Sequence, residues 1–195
     1  MAERKIDDFI DLLLYERGVL VEREGITMKA LVKDATESLQ YYNDKYIRCK
    51  FIIHTGDLIR LIEQNKNYLI ISEISQFNNH FKARLRLCNH QLVIEIPGQQ
   101  VLVGYDYRGA PIYEMSDPTF EYYYSIVENK VMDIETNQPI VLLENEIIAL
   151  LQDSEVTREK FIEGSEFTFQ GKTYTVIGVD RTKYGLLSIK ASLSV

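Results

Sequence analysis

The sequence predicts a mainly β protein, in which antiparallel β-barrel or β-sandwich lobes accompany one amphipathic N-terminal helix. Two observations carry this prediction. Residues 51–96 consist of short runs of branched and alternating side chains separated by turn residues, which is typical of a meandering antiparallel sheet. Residues 167–169 and 172–174 flank the two-residue loop Gln170-Gly171, which is typical of a hairpin that brings Phe167 opposite Tyr174.

The first element is predicted to be an amphipathic helix that ends near Gly18. Its hydrophobic residues recur at helical spacing, and charged residues fill the opposite side. A helix with one apolar side must lie against something, so we expect it to cover its own β-core, with a neighbouring subunit as the alternative. The hydrophobic positions are Ile6, Phe9, Ile10, Leu13 and Leu14.

Strand and then loop are predicted after this helix. Between residues 19 and 33, side chains of opposite character alternate, which favours a strand. Residues 34–45 are polar and long enough to form a projecting loop, which carries Tyr41 and Tyr42 near its end. Because such loops often bind partners, we expect these two tyrosines to contact another subunit.

Residues 51–96 are predicted to contain a hairpin, a polar gap and a third strand. The hairpin turns at Asn65-Lys66-Asn67, and the gap follows at residues 75–79. The two faces of the third strand differ sharply in character. One face carries Phe81, Ala83, Leu85 and Leu87, and the other carries Lys82, Arg84 and Arg86.

Lys82, Arg84 and Arg86 form a basic stripe, the most distinctive charged feature of the predicted surface. Three like charges on alternate strand residues repel one another and usually point into water. The alternative is that they contact an acidic surface of a partner. Since the net charge of the chain is -7, that partner could be another copy of the same chain. We therefore take the stripe as a candidate subunit or partner interface.

Pro97-Gly98 is predicted to separate two lobes. Residues 1–97 would contain the helix and a barrel-like lobe, and residues 98–195 a sandwich-like lobe of the immunoglobulin type. Short strands are predicted at residues 101–105, 111–115 and 120–128. In the last of these, alternation places Tyr123 on one face and its two tyrosine neighbours on the other. At least one tyrosine of this run should therefore face solvent or an interface.

Composition argues against several functional classes. A net charge of -7 and a pI near 5.1 oppose a sequence-independent grip on DNA, which needs several Lys or Arg side chains aimed at phosphates. No apolar run approaches the ~18 residues of a membrane span. Acidic residues interrupt the start of the chain where a secretory signal would be apolar, so we expect the protein to be made and kept in the cytoplasm.

No motif for catalysis, a cofactor or a metal is evident in the sequence. Cys49 and Cys88 lack CxxC spacing, and Cys49 lies on an apolar strand face where a buried thiol is expected. His54, His80 and His90 are not spaced as metal ligands or as catalytic bases. No phosphate-binding glycine pattern occurs. The expectation is a protein that is not an enzyme and that needs no cofactor.

Five short segments carry a resemblance to a known family. They are GDLIRL at residues 56–61, NKNYLIISEI at 65–74, RLCN at 86–89, YTVIGVDRT at 174–182 and GLL at 185–187. Their pattern resembles that of tailed-bacteriophage neck proteins, meaning the head-closure, head-completion or stopper class between the portal ring and the tail. The resemblance covers residues 45–89 and 164–193.

The resemblance implies a structural virion protein, located in the neck, without catalytic residues. It implies a cyclic ring of identical subunits, hexameric or dodecameric, with a portal or adaptor protein on one side and a tail terminator or tail tube protein on the other. The ring would close the DNA channel after packaging and dock the tail, holding DNA without specific binding and without contacting a membrane. The candidate channel or gating loop is Ser75, Gln76, Phe77, Asn78 and Asn79.

Two other functions are weighed against this one. The chain could be a different virion protein built on similar β-modules, such as a tail terminator or adaptor. It could also be a small β-domain enzyme or ligand-binding module, in which His80 or the tyrosine run would matter.

Overall fold

The structure is a computed structural model that describes residues 2–35, 44–77, 79–128, 130–132, 139–141 and 145–194. Two closed antiparallel β-barrels and two helices account for most of the described chain, which confirms the predicted fold class. The elements of the first half are α1 (Ala2–Arg17), β1 (Val19–Arg23), β2 (Ile26–Asp34), β3 (Lys45–Cys49), β4 (Leu58–Leu61), β5 (Lys66–Ile70), β6 (Ser75–Phe77) and β7 (His80–Leu87). Those of the second half are β8 (His90–Ile96), β9 (Gln100–Tyr105), β10 (Pro111–Met115), β11 (Thr119–Glu128), β12 (Lys130–Met132), β13 (Pro139–Val141), β14 (Glu146–Gln152), α2 (Glu155–Lys160), β15 (Glu166–Phe169), β16 (Lys172–Asp180) and β17 (Leu186–Leu193).

The first barrel has the strand order β3-β2-β1-β4-β5-β7 and is closed by pairing of β3 with β7. β6 continues the line of β5, pairing with residues 80–82 of β7 while β5 pairs with residues 85–87. Its inward side chains are the branched and apolar residues that alternation predicted, with Ala83 and Leu85 buried on β7. The core of this barrel also contains Val21, Ile47, Cys49, Ile59 and Tyr68.

The helix α1 ends as predicted, because the N–H of Gly18 donates to the carbonyl of Leu14 at 3.1 Å. It lies against β2. Ile10 is buried, but Phe9 is 59% exposed and therefore lies away from the barrel, unlike the prediction that placed both on one buried side. Neighbouring residues of an α-helix point about 100° apart, so Phe9 is turned away when Ile10 faces the barrel.

The segment from residue 19 to residue 33 forms two strands instead of the single predicted strand. Glu24 and Gly25 both have positive φ, at 52° and 78°, and they join β1 to β2 as a tight antiparallel hairpin. Two consecutive residues with positive φ are what a type I′ hairpin turn requires.

The second barrel closes through the order β11-β14-β17-β16-β15-β8. Its core is rich in aromatic side chains, and the predicted pair is present: Phe167 lies opposite Tyr174, with ring centroids 6.0 Å apart. Phe161 follows the short helix α2, is fully buried, and makes an edge-on contact with Phe167 at 5.8 Å. The helix begins at Ser154, which forms a capping box with Thr157.

The boundary between the barrels differs from the predicted one at residues 97–98. β8 pairs with β11 along its whole length and with β15 at Val93, so it belongs to the second barrel, and the first barrel ends with β7 at Leu87. The lobe predicted as sandwich-like is a closed barrel. Pro97 and Gly98 instead begin a hairpin that leaves this barrel, because proline and glycine mark any sharp turn and not only a linker between domains.

No helix in the described ranges is long and apolar enough to cross a membrane.

Candidate functional site

The basic stripe on β7 is engaged within the chain. Asp44, which is 1% exposed, accepts from Arg84 Nε at 2.7 Å and from Arg86 Nε and Nη2 at 3.1 and 3.2 Å. The Lys82 ammonium lies 4.5 Å from the centre of the Tyr46 ring. These contacts compensate the buried carboxylate and hold both guanidinium groups in place. The predicted role of the stripe as a partner interface stays a prediction, but two of its charges already have a carboxylate partner.

The stripe also joins the two barrels. Arg86 Nη1 donates to Glu128 Oε1 on β11 at 3.0 Å, so this guanidinium bridges carboxylates from both halves of the molecule. Three residues further along, between β7 and β8, the side-chain amide of Asn89 bonds twice to the backbone of Val127. Its Nδ2 donates to the carbonyl at 2.9 Å, and its Oδ1 accepts the N–H at 2.8 Å. This amide continues the backbone pairing at the point where the chain crosses between barrels.

Two glycines bring the backbones of the barrels into direct contact. Gly56 and Gly185 have φ of 89° and 77°, and a Cβ built on Gly56 would lie 1.7 Å from the carbonyl oxygen of Gly185. A Cβ on Gly185 would lie 1.9 Å from the carbonyl oxygen of Thr55. Only glycine fits both positions. The sequence placed each glycine at the start or end of a strand, and nothing in its spacing indicated that the two would meet.

A small apolar cluster completes the junction. Leu69 from the first barrel and Ile126 and Leu186 from the second are each at most 4% exposed and pack together. Partly buried residues surround this cluster, which is distinct from the cores of the two barrels. The surrounding residues are Leu58, Ile71, Cys88 and Leu150.

A polar groove of about 560 Å³ runs beside the junction. Arg60 and Asn67 line it from the first barrel, and Gln91 and Tyr124 line it from the second. Arg60 lies 3.4 Å from Glu22, so its charge is already balanced within the groove. The groove can offer amide and phenol groups for hydrogen bonds with a polar surface.

The hairpin formed by β9 and β10, here called the arm and defined as residues 99–116, projects from the second barrel. Gln99 and Ser116 close its base, with the N–H of Ser116 donating to the carbonyl of Gln99 at 2.9 Å. Its large hydrophobic side chains are between 43% and 88% exposed. These are Val101, Leu102, Val103, Tyr105, Tyr107, Ile112, Tyr113 and Met115. The sequence predicted both strands but not their exposure. Their hydrophobic composition alone would have favoured burial.

The tyrosine run on β11 follows the predicted alternation. Tyr123 points into the second barrel, 5.1 Å from the Phe161 ring, whereas Tyr122 and Tyr124 are 60% and 38% exposed. The Tyr123 hydroxyl donates to Glu121 at 2.6 Å. Burial, and then this hydrogen bond, raise the pKa of Tyr123, and the same bond lowers the pKa of Glu121. The outer tyrosines continue the exposed aromatic surface from the arm towards the groove.

The predicted gating loop is in part a strand. Ser75, Gln76 and Phe77 form β6, which pairs with β7 and is exposed, and Asn79 lies in the turn before β7. Asn78 lies outside the described residues, as do Tyr41 and Tyr42 of the predicted interface loop. Pairing of β6 with β7 ties this segment to the first barrel. Its proposed role in a channel stays a prediction.

Both cysteine thiols are shielded by burial, and the rings of His80 and His90 pack against phenylalanines. Burial raises the pKa of both thiols, Cys49 and Cys88, to about 12, and Cys49 lies in the core as predicted. The His80 ring stacks on Phe77, and His90 contacts the edge of a core phenylalanine at 4.9 Å. Within the described ranges, no three His, Cys, Asp or Glu residues are grouped so that they could hold a metal ion.

Comparison with known proteins finds two matching family models, which overlap along the chain. The model described as the YomX N-terminal domain matches residues 3–87, and the model described as the YomX C-terminal domain matches residues 48–192. The first match ends at the last residue of the first barrel. No curated protein matches the chain. Among solved structures, it is similar to MrkH, described as a c-di-GMP dependence transcription regulatory factor, with 6% identity, a TM-score of 0.23 and coverage of 98% of this chain and 83% of that one.

Proposed function

Because this chain belongs to the YomX family, and YomX is a phage-associated protein, we propose that it is a structural virion protein that forms a ring in the neck of a tailed phage. The family match across residues 3–192 is the observation that carries this proposal, since it makes the chain phage-related. The neck location rests on the resemblance of residues 45–89 and 164–193 to head-closure and stopper proteins.

The barrel junction supports a mechanical role. A ring subunit that must withstand the pressure of packaged DNA needs domains that do not swing against each other. Direct contact of the Gly56 and Gly185 backbones, together with the paired Arg86 and Asn89 side chains, provides such a connection. Relative motion of domains is the default unless their contact is extensive and apolar, so the cluster of Leu69, Ile126 and Leu186 adds to this support.

The charge of the chain suits a channel that DNA passes through. A net charge of -7 repels the phosphate backbone, so DNA would slide past the ring without being held. In this proposal a portal or adaptor protein binds one side of the ring, and a tail terminator or tail tube protein binds the other. The ring closes the channel after packaging, opens on ejection, and performs no catalysis.

Deletion of the gene from its phage tests the proposal. The expected result is heads that package DNA and then lose it, together with free, complete tails, because the layer that closes the head and accepts the tail is missing. Electron microscopy and a nuclease assay of released DNA would measure this. Complementation with the wild-type gene is the control.

Two other outcomes would contradict the neck-closure role. Closed, DNA-filled heads accompanied by tails with unfinished ends would identify a tail terminator instead. Normal particles would remove the virion role, and a search for ligands of the groove beside Tyr124 would then be justified.

A further inference from the structure

The arm makes few contacts with the body of the protein. In the described chain its two strands pair only with each other, so each has an outer edge along which no other strand is bonded. An isolated two-stranded hairpin is marginally stable in water. The exposed backbone groups along the outer edges of β9 and β10, without a lysine to block them, are suited to pairing with another strand.

One face of the arm is mainly apolar. The register places Leu102 directly opposite Tyr113, and Met115 lies on the same face by alternation, opposite Gln100. A register shift at Val103 brings Tyr105 opposite Pro111, and so onto this face too. The other face is mixed, because Val101 lies opposite Glu114 there. The arm therefore has a defined side on which a hydrophobic partner would pack.

The apolar face of the arm supplies a large share of one side of a subunit contact. Leu102, Tyr105, Tyr113 and Met115 are 43–67% exposed, which at ~150–250 Å² per large side chain corresponds to roughly 450 Å². A specific interface buries about 800 Å² on each partner. Strand pairing along the free edges of the arm would add to the area that this face buries.

The tip of the arm is already organised. The Asp106 carboxylate accepts from the backbone N–H of Arg108 and of Ala110, each at 2.8 Å, and the N–H of Asp106 donates to the Ala110 carbonyl at 2.8 Å. These bonds fix the loop between the strands. Binding through a pre-organised hairpin loses less conformational entropy than binding through a flexible loop.

The charge of the arm favours another copy of the chain as the partner that binds its apolar face. One arginine against two acidic residues, Asp106 and Glu114, gives residues 99–116 a net charge of -1. Two copies of a chain with net charge -7 repel least where their contact is apolar and nearly neutral. A lipid surface is a poorer match, because peripheral membrane binding relies on clusters of lysine and arginine beside the apolar residues.

From these observations we propose that the arm of one copy docks onto a second copy of this chain, with the face that carries Leu102 and Tyr113 buried in the contact. This inference deepens the proposed function and rests on it only for where the assembly takes place. An identical chain brings a second arm with the same free edges and the same apolar face.

The test changes the apolar face while preserving the hairpin. In the double variant Leu102→Lys with Tyr113→Glu, the new charges lie opposite each other and stabilise the strand pair as an ion pair. We expect the dissociation constant of the purified full chain to rise by at least about 100-fold, measured by sedimentation equilibrium, because two central contacts are lost. Unchanged self-association would overturn the proposal, as would a wild-type chain that is monomeric at about 100 µM.

Two controls separate this result from misfolding. The matched control is Ile52→Lys with Tyr184→Glu, which charges two side chains that are 61% and 84% exposed and lie outside the arm; its dissociation constant should stay within about twofold of wild type. The second control replaces residues 100–115 by Asn-Gly, which can link Gln99 to Ser116 as a tight turn. This variant should keep both barrels, as judged by thermal unfolding, and should be monomeric.

Flotation with vesicles of phosphatidylcholine and phosphatidylglycerol distinguishes the membrane alternative. Vesicle binding that is lost in the Leu102→Lys, Tyr113→Glu variant, without any self-association of wild type, would overturn the proposal. Failure of the proposed function gives a different result. A chain that associates through the arm but is absent from purified particles by mass spectrometry would contradict the neck role and leave the arm contact standing.

Discussion

At the barrel junction, the groups that cross from one barrel to the other meet partners at hydrogen-bond or van der Waals distance, whereas the large side chains of the arm face solvent. Asn89 bonds twice to a single backbone position across the junction, and Gly56 and Gly185 leave no room for a Cβ. On the arm, Leu102 and Tyr113 are 43% and 55% exposed. The two regions thus differ in their partners. The junction groups contact other residues of the same chain, whereas the hydrophobic side chains of the arm are left exposed to solvent.

This difference separates two roles within one molecule. Polar and backbone contacts are geometrically demanding, so the junction fixes how the barrels are oriented. Apolar contacts are less directional and suit association with a separate body. Substitutions at the junction should therefore affect folding, and substitutions on the arm should affect association with little effect on folding.

The largest effect is expected for Gly56→Ala. The added Cβ would collide with the Gly185 carbonyl, and the alanine would have to adopt a φ of 89°. Either the junction opens or the chain fails to fold. We expect a loss of at least about 4 kcal/mol in the free energy of unfolding, measured by urea denaturation.

Gly164→Ala is the matched control for this substitution. Gly164 has a similar φ of 85°, but a Cβ there meets nothing within 4 Å. Its cost should be only the ~1–2 kcal/mol of a left-handed conformation. Equal losses for the two variants would mean that backbone conformation, and not contact between the barrels, makes Gly56 necessary.

The next prediction compares the loss of stability caused by a substitution in the core of the second barrel with that caused by one on the arm. Phe167 is 2% exposed and packs among aromatic rings, so Phe167→Ala should lower the free energy of unfolding by about 3–5 kcal/mol through lost burial and a cavity. Tyr113→Ala should change the stability of the monomer by less than about 0.5 kcal/mol. Thermal unfolding at a concentration below the association range measures both. A large effect of Tyr113→Ala would show that the arm packs on its own barrel.

Alternation in the sequence was enough to predict the β class, the pairing of Phe167 with Tyr174 and the two faces of β7. Each of these depends on residues close together in the chain, where a period of two decides which side chains share a face. The hairpin between β1 and β2 was missed because Glu24 is an unusual residue for a positive φ, so the turn residues gave a weak signal.

The contacts at the junction and the exposure of the arm could not be predicted, and for different reasons. The contact of Gly56 with Gly185 joins residues that are distant in sequence, and a single chain gives no signal for such a meeting. Asp44 was part of a polar loop, and only the fold brings it to Arg84 and Arg86. The arm was predicted as two strands, but a strand pattern does not say whether anything lies on its apolar face.

A smaller effect is expected for Asp44→Asn. Removing the carboxylate leaves Arg84 and Arg86 without their shared counter-charge in a partly buried place, which should lower the free energy of unfolding by about 2–3 kcal/mol. Asp34→Asn is the control, since Asp34 forms an ion pair with Lys45 but is 73% exposed, and its loss should be below about 1 kcal/mol. Similar losses for the two would mean that the buried cluster contributes no more than a surface pair.

The smallest effect at the junction is expected for Asn89→Ala, which removes one side chain and leaves the Val127 N–H and carbonyl without the partners they have in the wild type. An unsatisfied buried group costs about 1–3 kcal/mol, and partial access to water should place this loss near the lower end. Gln91→Ala is the control: Gln91 is exposed like Asn89, but its side chain does not bond to Val127, so its loss should be nearly neutral. Hydrogen exchange at the Val127 amide is the decisive measurement, because Asn89→Ala should speed it while amides at the centre of each barrel keep their protection. If exchange accelerated equally throughout both barrels, Asn89 would be stabilising the whole fold and not the crossing point between its halves.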